Sequence, residues 1–341
     1  MIQKDTITGI LNKGIELGAY PGATLHVIQE GKTLIDLAIG TLDGTRRVTP
    51  STLYDLASIT KPIATAAVIT ELMRLGDLSL TQTVGELLGS DGGRLKDVPL
   101  GHLLMHTSGL PAHIPCYAEG LGLDAAVDAI IRTDTDPVGT MYRYSCLGYI
   151  VLAKVIHCVT HLPVDVIAKE IVWEPLGLHS LTFRPGNTTA PTKSTETPSG
   201  ESITLLGLPH DGNARGIMAA RDGFVSGNAG CFGTARDVAA FGSALLSACW
   251  LGKSYTDRWI QPQSTPAGHT LGLFSGDNPL VPKGDIFGQQ ACGHSGYTGT
   301  VLLLDPPTSS VIGLCTNAVY SRKETFLMHR RRILNVIAGI L

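Results

Sequence analysis

The segment Asp55-Leu-Ala-Ser-Ile-Thr-Lys61 runs into an apolar, helix-periodic stretch that ends at Gly76, and it sets Ser58 three residues before Lys61. On a helix such a pair shares one face, with Cβ atoms roughly 5–6 Å apart. A serine hydroxyl needs a neighbouring base to be a useful nucleophile, and a desolvated lysine is such a base. A helix start adds unpaired N–H groups and a positive dipole end beside the hydroxyl. Pro62 suits a first turn, where its missing N–H loses no helical hydrogen bond. A structural reading competes: Ser58 or Thr60 as an N-cap and Lys61 as a solvated first-turn residue. Ser58 is the only serine followed by lysine at the third position.

Two further pieces bear on the choice. Tyr144-Ser-Cys146 precedes an apolar helical pattern, which puts Tyr144 on a loop or first turn facing outward. Its phenol is suited to relay a proton between serine, lysine and a leaving group, or simply to pack at a helix start. His294-Ser295-Gly296 leads into a β-rich run, and its glycine lets a substrate backbone approach closely. The Tyr297 N–H, with that of Ser58, is a candidate oxyanion hole. His294 is a candidate polar or cationic wall.

In this order, Ser-x-x-Lys, a tyrosine before a second helix and His-x-Gly at a late strand resemble the β-lactamase-like serine hydrolases. That family includes class C β-lactamases, serine DD-peptidases, D-aminopeptidases and esterases. The likeness extends to GHLLMHTSGLP (101–111), GNAGCFGTARDVAAFGSALL (227–246) and GHSGYTGTVLLLDP (293–306), and it covers about residue 20 to the C-terminus. It implies Ser58 as acylated nucleophile, Lys61 as its base and Tyr144 as second proton carrier. It also implies Ser58 and Tyr297 backbone N–H groups as the oxyanion hole. His294, Ser295 and Gly296 then line the substrate, with His294 where many relatives hold lysine. The resemblance implies an acyl-enzyme without metal or cofactor, acting on a small-molecule ester, peptide or β-lactam.

The chain departs from the family at Cys146, where the second motif usually ends in asparagine. A thiol is a poor donor and acceptor, so a substrate amide is gripped less well and Lys61 loses one partner. Both effects favour esters, whose leaving group is better, over D-Ala-directed peptides and β-lactams. A non-catalytic penicillin or peptide sensor is the reading from outside the enzyme class. At His294 the local charge becomes pH-dependent, since an unperturbed histidine titrates near ~6.5.

The positioning elements are legible in pattern. ATLHVIQEGKTLIDLAIG gives a hairpin around Glu30-Gly31, and TGTVLLLDPPTSSVIGLCT gives another around Asp305-Pro306-Pro307. Helical patterns cover the N-terminus to near Gly18, Thr60–Leu75, Leu100–His106, Leu123–Arg132, Leu147–Thr160, Thr234–Ala248 and Lys323–Leu341. Thr234 to Asp237 reads as a capping box. These features predict an α/β (α+β) fold: an antiparallel sheet from both chain ends, flanked by terminal helices, with a mostly helical inserted subdomain. The expected division is one domain over 1–341, with the sheet part at about 1–60 and 270–341 and the helical part at about 61–269.

The 341 residues are 43% hydrophobic and 16% charged, with net charge −3, so bulk charge favours neither nucleic acid nor an anionic membrane. No window reaches the roughly 20 apolar residues of a membrane span, and the first residues do not read as a signal peptide. Seven cysteines without CxxC spacing fit a reducing compartment, and the expected location is the cytoplasm. His102, His106 and His113 lack a metal-site signature and read as structural, and no phosphate-cradling glycine loop suggests a cofactor. His210, in a polar loop, is a substrate-contact candidate. The Pro/Thr/Ser-rich stretch 185–204 reads as a solvated surface loop and His329–Arg332 as a solvated helix face. No motif identifies the natural substrate or the oligomeric state.

Overall fold

The structure is a computed structural model and describes residues 2–89, 92–116, 122–197, 199–220, 222–261 and 268–341. Its strands in chain order are β1 (Gly22–Gln29), β2 (Lys32–Gly40), β3 (Tyr54–Asp55), β4 (Thr192–Ser194) and β5 (Ile203–Leu205). They continue as β6 (Phe232–Gly233), β7 (Phe274–Ser275), β8 (Cys292–Gly296), β9 (Thr300–Asp305) and β10 (Ser310–Thr316). The helices begin with α1 (Ile2–Glu16), α2 (Ala67–Leu75), α3 (Val84–Leu88), α4 (Leu100–Leu104), α5 (Leu123–Ile131) and α6 (Cys146–Thr160). They end with α7 (Val164–Ala168), α8 (Gly212–Ala219), α9 (Ala235–Leu246), α10 (Lys253–Ile260) and α11 (Lys323–Ala338).

The main sheet has six antiparallel strands in the order β2-β1-β10-β9-β8-β7, so the two chain ends meet at the β1–β10 pair. Both expected hairpins form. Glu30 and Gly31 take φ of 49° and 73°, the paired left-handed residues of a tight hairpin turn. Pro306–Thr308 forms a short 3₁₀ turn between β9 and β10.

Successive side chains of a strand point to opposite faces, and in β1, β9 and β10 both faces are buried. Leu25, Val27, Val301, Leu303, Ile312 and Leu314 face a core shared with α1 and α11. Ile28, Leu302, Leu304, Val311 and Cys315 face a second core continuous with the helical region. That explains why TVLLLD is apolar without alternation: neither face meets water.

Several boundaries differ from expectation. The helix expected from Thr60 begins as a π-helical turn at Lys61–Ala66, after a 3₁₀ turn at Ala57–Ile59, and only then becomes α2. The α4 helix stops at Leu104, and His106 turns left-handed at φ 56°. The capping box at α9 is half made. Thr234 accepts from the Asp237 N–H, but the Asp237 carboxylate accepts from the Ser180 N–H and hydroxyl, at 2.7 and 2.6 Å. The stretch 185–204, of which Pro198 lies outside the described residues, is not plain surface: β4 pairs with β5, and Thr192 and Ser194 are buried. His329 is also buried, with its Nε2 on the Ile10 carbonyl, while Arg331 and Arg332 are exposed. Among the described residues no single helix is long and apolar enough to cross a membrane.

Candidate active site

Every residue from Tyr54 to Leu72 is buried except Ser58, which is partly exposed. Local geometry produces that exposure. Ala57 takes φ 46°, a left-handed conformation costly for a residue with a Cβ. The Asp55 carboxylate holds the turn by accepting the Ala57 N–H at 2.8 Å. Its other oxygen accepts the His210 N–H at 2.7 Å, and burial raises its pKa to about 6 against the pull of these hydrogen bonds.

Lys61 is not solvated; its relative exposure is 0%. Its side-chain nitrogen donates to Ser58 Oγ at 3.0 Å, to the Asn228 carbonyl at 2.9 Å and to Cys146 Sγ at 3.5 Å. Three acceptors match the three N–H bonds of an ammonium. Burial works against the charge, but Cys146 and Tyr144, as anionic partners, outweigh it and hold the Lys61 pKa above its ordinary value. Burial pushes the Tyr144 phenol and the Cys146 thiol up as well, with Lys61 opposing both shifts. The three groups are therefore coupled: an ionised phenol or thiol favours the Lys61 ammonium, and with both neutral burial favours the free amine. The expected loss of a Lys61 partner at Cys146 does not occur: the thiol stays in contact, and a backbone carbonyl supplies a stronger acceptor.

The position of that carbonyl is built. Thr65 donates to the Gly227 carbonyl at 2.7 Å, and Asn228 Nδ2 donates to Asp211 at 3.1 Å. A Cβ at Gly227 would stand 2.2 Å from the Tyr149 carbonyl, so only glycine allows the approach.

Tyr144 does not face outward. Its ring packs between His106 at 4.5 Å, Phe274 at 5.7 Å and His294 at 6.1 Å between ring centroids. The Lys61 nitrogen lies 5.0 Å from its centroid, and the phenol is within interacting range of both Lys61 and Ser58. The loop after α4 braces the start of α6: Ser145 Oγ donates to the Pro111 carbonyl at 2.6 Å and the Cys146 N–H to that of Ala112 at 3.1 Å.

Strand β8 borders the serine. β7 pairs only with Cys292 and Gly293, which leaves the outer edge of His294–Gly296 without a strand partner among the described residues. Gly296 lies so close to the Ser58 segment that a Cβ would stand 2.3 Å from the Leu56 carbonyl. Thr298 and Thr300 donate to the carbonyls of Asp55 and Leu56 at 2.6 and 3.1 Å, tying the β8–β9 turn, and with it Tyr297, to the same segment. Ser295 is partly exposed.

His294 departs from expectation. It is 1% exposed, and burial, with Lys61 and His269 nearby, holds its pKa well below the usual value. Its Nδ1 donates to the Ser295 carbonyl at 2.9 Å. It is a neutral wall, not a cationic one, because an imidazolium there would be desolvated beside the Lys61 ammonium.

His210 is buried and stacks on Tyr297 with centroids 5.2 Å apart; burial lowers its pKa to about 4. Both border a pocket of about 310 Å³ whose walls include Lys193, Glu196 and Lys323. The Tyr297 side chain is 57% exposed, under the Lys323 ammonium. His102 pairs with Thr107 and His106 with the Ser145 N–H, so these two histidines have separate structural partners. The sequence assigns no individual role to Asn228, Asp211 or Asp55, although Asn228 falls within the family-like block 227–246, Asp211 in the polar loop of His210 and Asp55 at the head of the Ser58 segment.

The sheet order, terminal helices and helical insertion define the β-lactamase-like fold, a class of hydrolases. The chain belongs to the Beta-lactamase family, whose family model matches residues 10–336. It is similar to a Bacillus subtilis protein named N-acetylmuramyl-L-alanine amidase, 28% identical over 99% of this chain and 83% of that protein. A putative D-alanyl-D-alanine carboxypeptidase of Salmonella paratyphi B is 27% identical over 92% of this chain and 82% of its own. Among solved structures, EstCE1, described as a hydrolase with promiscuous acyltransferase activity, superposes with TM-score 0.78 at 20% identity, covering 97% and 98% of the two chains. A class C β-lactamase from Rhodobacter sphaeroides gives TM-score 0.74 at 18% identity over 98% and 99%. At these identities the structural likeness is one of fold.

Proposed function

We propose that this chain is a serine hydrolase that works through an acyl-enzyme on Ser58, with small acyl esters as its favoured substrates. The observation that carries the reading is the 3.0 Å contact between the buried Lys61 nitrogen and the partly exposed Ser58 hydroxyl. In acylation the Ser58 proton passes to the Lys61–Tyr144 pair as Oγ bonds the substrate carbonyl carbon. The carbonyl oxygen becomes an oxyanion received by the Ser58 and Tyr297 N–H groups. Its collapse breaks the bond to the leaving alkoxide, which takes a proton from Tyr144. Water repeats the sequence to free the acid and restore Ser58.

Cys146 supports ester over amide substrates, since a thiol grips a substrate amide weakly. The amidase and carboxypeptidase names of the relatives favour a second reading, a D-Ala-directed peptidase or weak β-lactamase. His294, Ser295, Gly296 and His210 are the proposed substrate contacts. The seven cysteines, none of which forms a disulfide among the described residues, support a reducing compartment such as the cytoplasm. A panel of p-nitrophenyl esters, nitrocefin and D-Ala-D-Ala peptides tests the reading. Ester turnover abolished by Ser58→Ala supports it; peptide or nitrocefin turnover without ester turnover supports the second; a lasting penicillin adduct with no turnover of any substrate means a sensor.

A further inference from the structure

We infer that His106 is the positioning residue for Tyr144, an inference that rests on the proton-carrier role proposed for that phenol. The residues on both sides of Tyr144 hang from this one histidine. The Arg143 N–H donates to the His106 carbonyl at 2.9 Å, and the Ser145 N–H donates to His106 Nδ1 at 3.2 Å. Between those two bonds the imidazole lies 4.5 Å from the Tyr144 ring, centroid to centroid. The carbonyl and the Nδ1 acceptor of one residue therefore hold the chain on both sides of the phenol.

His106 is itself tightly set. It is buried, its φ of 56° turns the chain just past α4, and the residues after it are pinned by bonds from Asp136 to Gly109 and from Gly139 to Thr107. Nδ1 has to be an unprotonated acceptor for the Ser145 bond, so the neutral ring carries its proton on Nε2. Burial, with His269, Lys61 and His294 nearby, keeps the ring in that neutral form. A misplacement of about 1 Å at a reacting group costs on the order of 100-fold in rate.

Two substitutions separate acceptor from backbone. His106→Gly accommodates the left-handed φ but removes Nδ1 and the ring; His106→Asn tolerates the same φ and keeps an acceptor near the Nδ1 position. With a p-nitrophenyl ester, His106→Gly is expected to lower kcat about 10- to 100-fold with KM little changed. His106→Asn is expected to keep kcat within about threefold. In a Tyr144→Phe background, His106→Gly is expected to cost less than about twofold more, since the group it positions is gone. Equal losses in His106→Asn and His106→Gly, or an undiminished loss in the Tyr144→Phe background, would overturn the inference. If His106→Gly does not fold, a loss of kcat in folded His106→Asn overturns it and retention supports it. NMR of ring-labelled tyrosine, with the Tyr144 signal assigned by its loss in Tyr144→Phe, needs no turnover. Both variants lose the ring current of the imidazole, so that signal should shift in each and shift further in His106→Gly; equal shifts in the two contradict the inference. Absence of any ester turnover in the parent counts against the hydrolase reading, while the NMR result still decides this one.

Discussion

The Lys61 side-chain nitrogen stands 3.0 Å from the Ser58 hydroxyl oxygen, with the lysine wholly buried and the serine partly exposed. All three hydrogen-bond donors of the ammonium are engaged, and its pKa is held above the ordinary value. In the proposed mechanism the Lys61–Tyr144 pair must have lost one proton before it can take that of Ser58. Ester kcat/KM is expected to rise with pH into the alkaline range. Lys61→Met is expected to lower it by about 10²- to 10⁴-fold, the usual worth of a positioned base. A pH–rate profile for both proteins checks this.

Asp55 links the turn that presents Ser58 to the His210 loop, and its carboxyl titrates near about 6. Protonation takes away one acceptor, so activity is expected to fall as pH drops through that value. Asp55→Asn mimics the protonated form: lower kcat at neutral pH, by about 10-fold, without the acidic limb. Stability runs the other way. A carboxyl with a raised folded-state pKa binds more protons native than unfolded between about 4 and about 6. Its favourable contribution is complete below its unfolded value and is lost as pH rises through about 6, on the order of 3 kcal/mol. Thermal unfolding across that window should be flatter for Asp55→Asn than for the parent.

Cys146 occupies the one position of the cluster where a side-chain amide would serve both lysine and substrate. Cys146→Asn is expected to raise turnover of amides or nitrocefin relative to esters by about 10-fold, the scale of one added hydrogen bond. The ratio of the two kcat/KM values measures it.

His294 stays neutral at the site wall. The KM of a carboxylate-bearing ester is therefore expected to be flat with pH through the neutral range. Tightening on acidification would mean that the ring charges despite its burial.

The Ser58–Lys61 contact is legible because a helical turn converts a three-residue spacing into contact, and the hairpins because Glu30-Gly31 and Pro306-Pro307 carry turn geometry in their residue types. The partners of the pair are not. The Asn228 carbonyl is a backbone group that every residue type possesses, and its approach depends on Gly227 lying against Tyr149, a contact between distant segments. For His294 the sequence leaves a polar or a cationic wall open, because the burial beside a lysine that lowers its pKa is a property of the folded chain. The burial of Asp55 and the left-handed turn at His106 are likewise set by segments far away in sequence.

The most direct test is peptide-mapped mass spectrometry after brief exposure to a fluorophosphonate, followed by ester assay of the parent and Ser58→Ala. The account predicts one adduct on the Ser58 peptide, no labelling in Ser58→Ala, and ester turnover lost in both the labelled and the substituted protein. An adduct on a different residue, or ester turnover that survives Ser58→Ala, would contradict it.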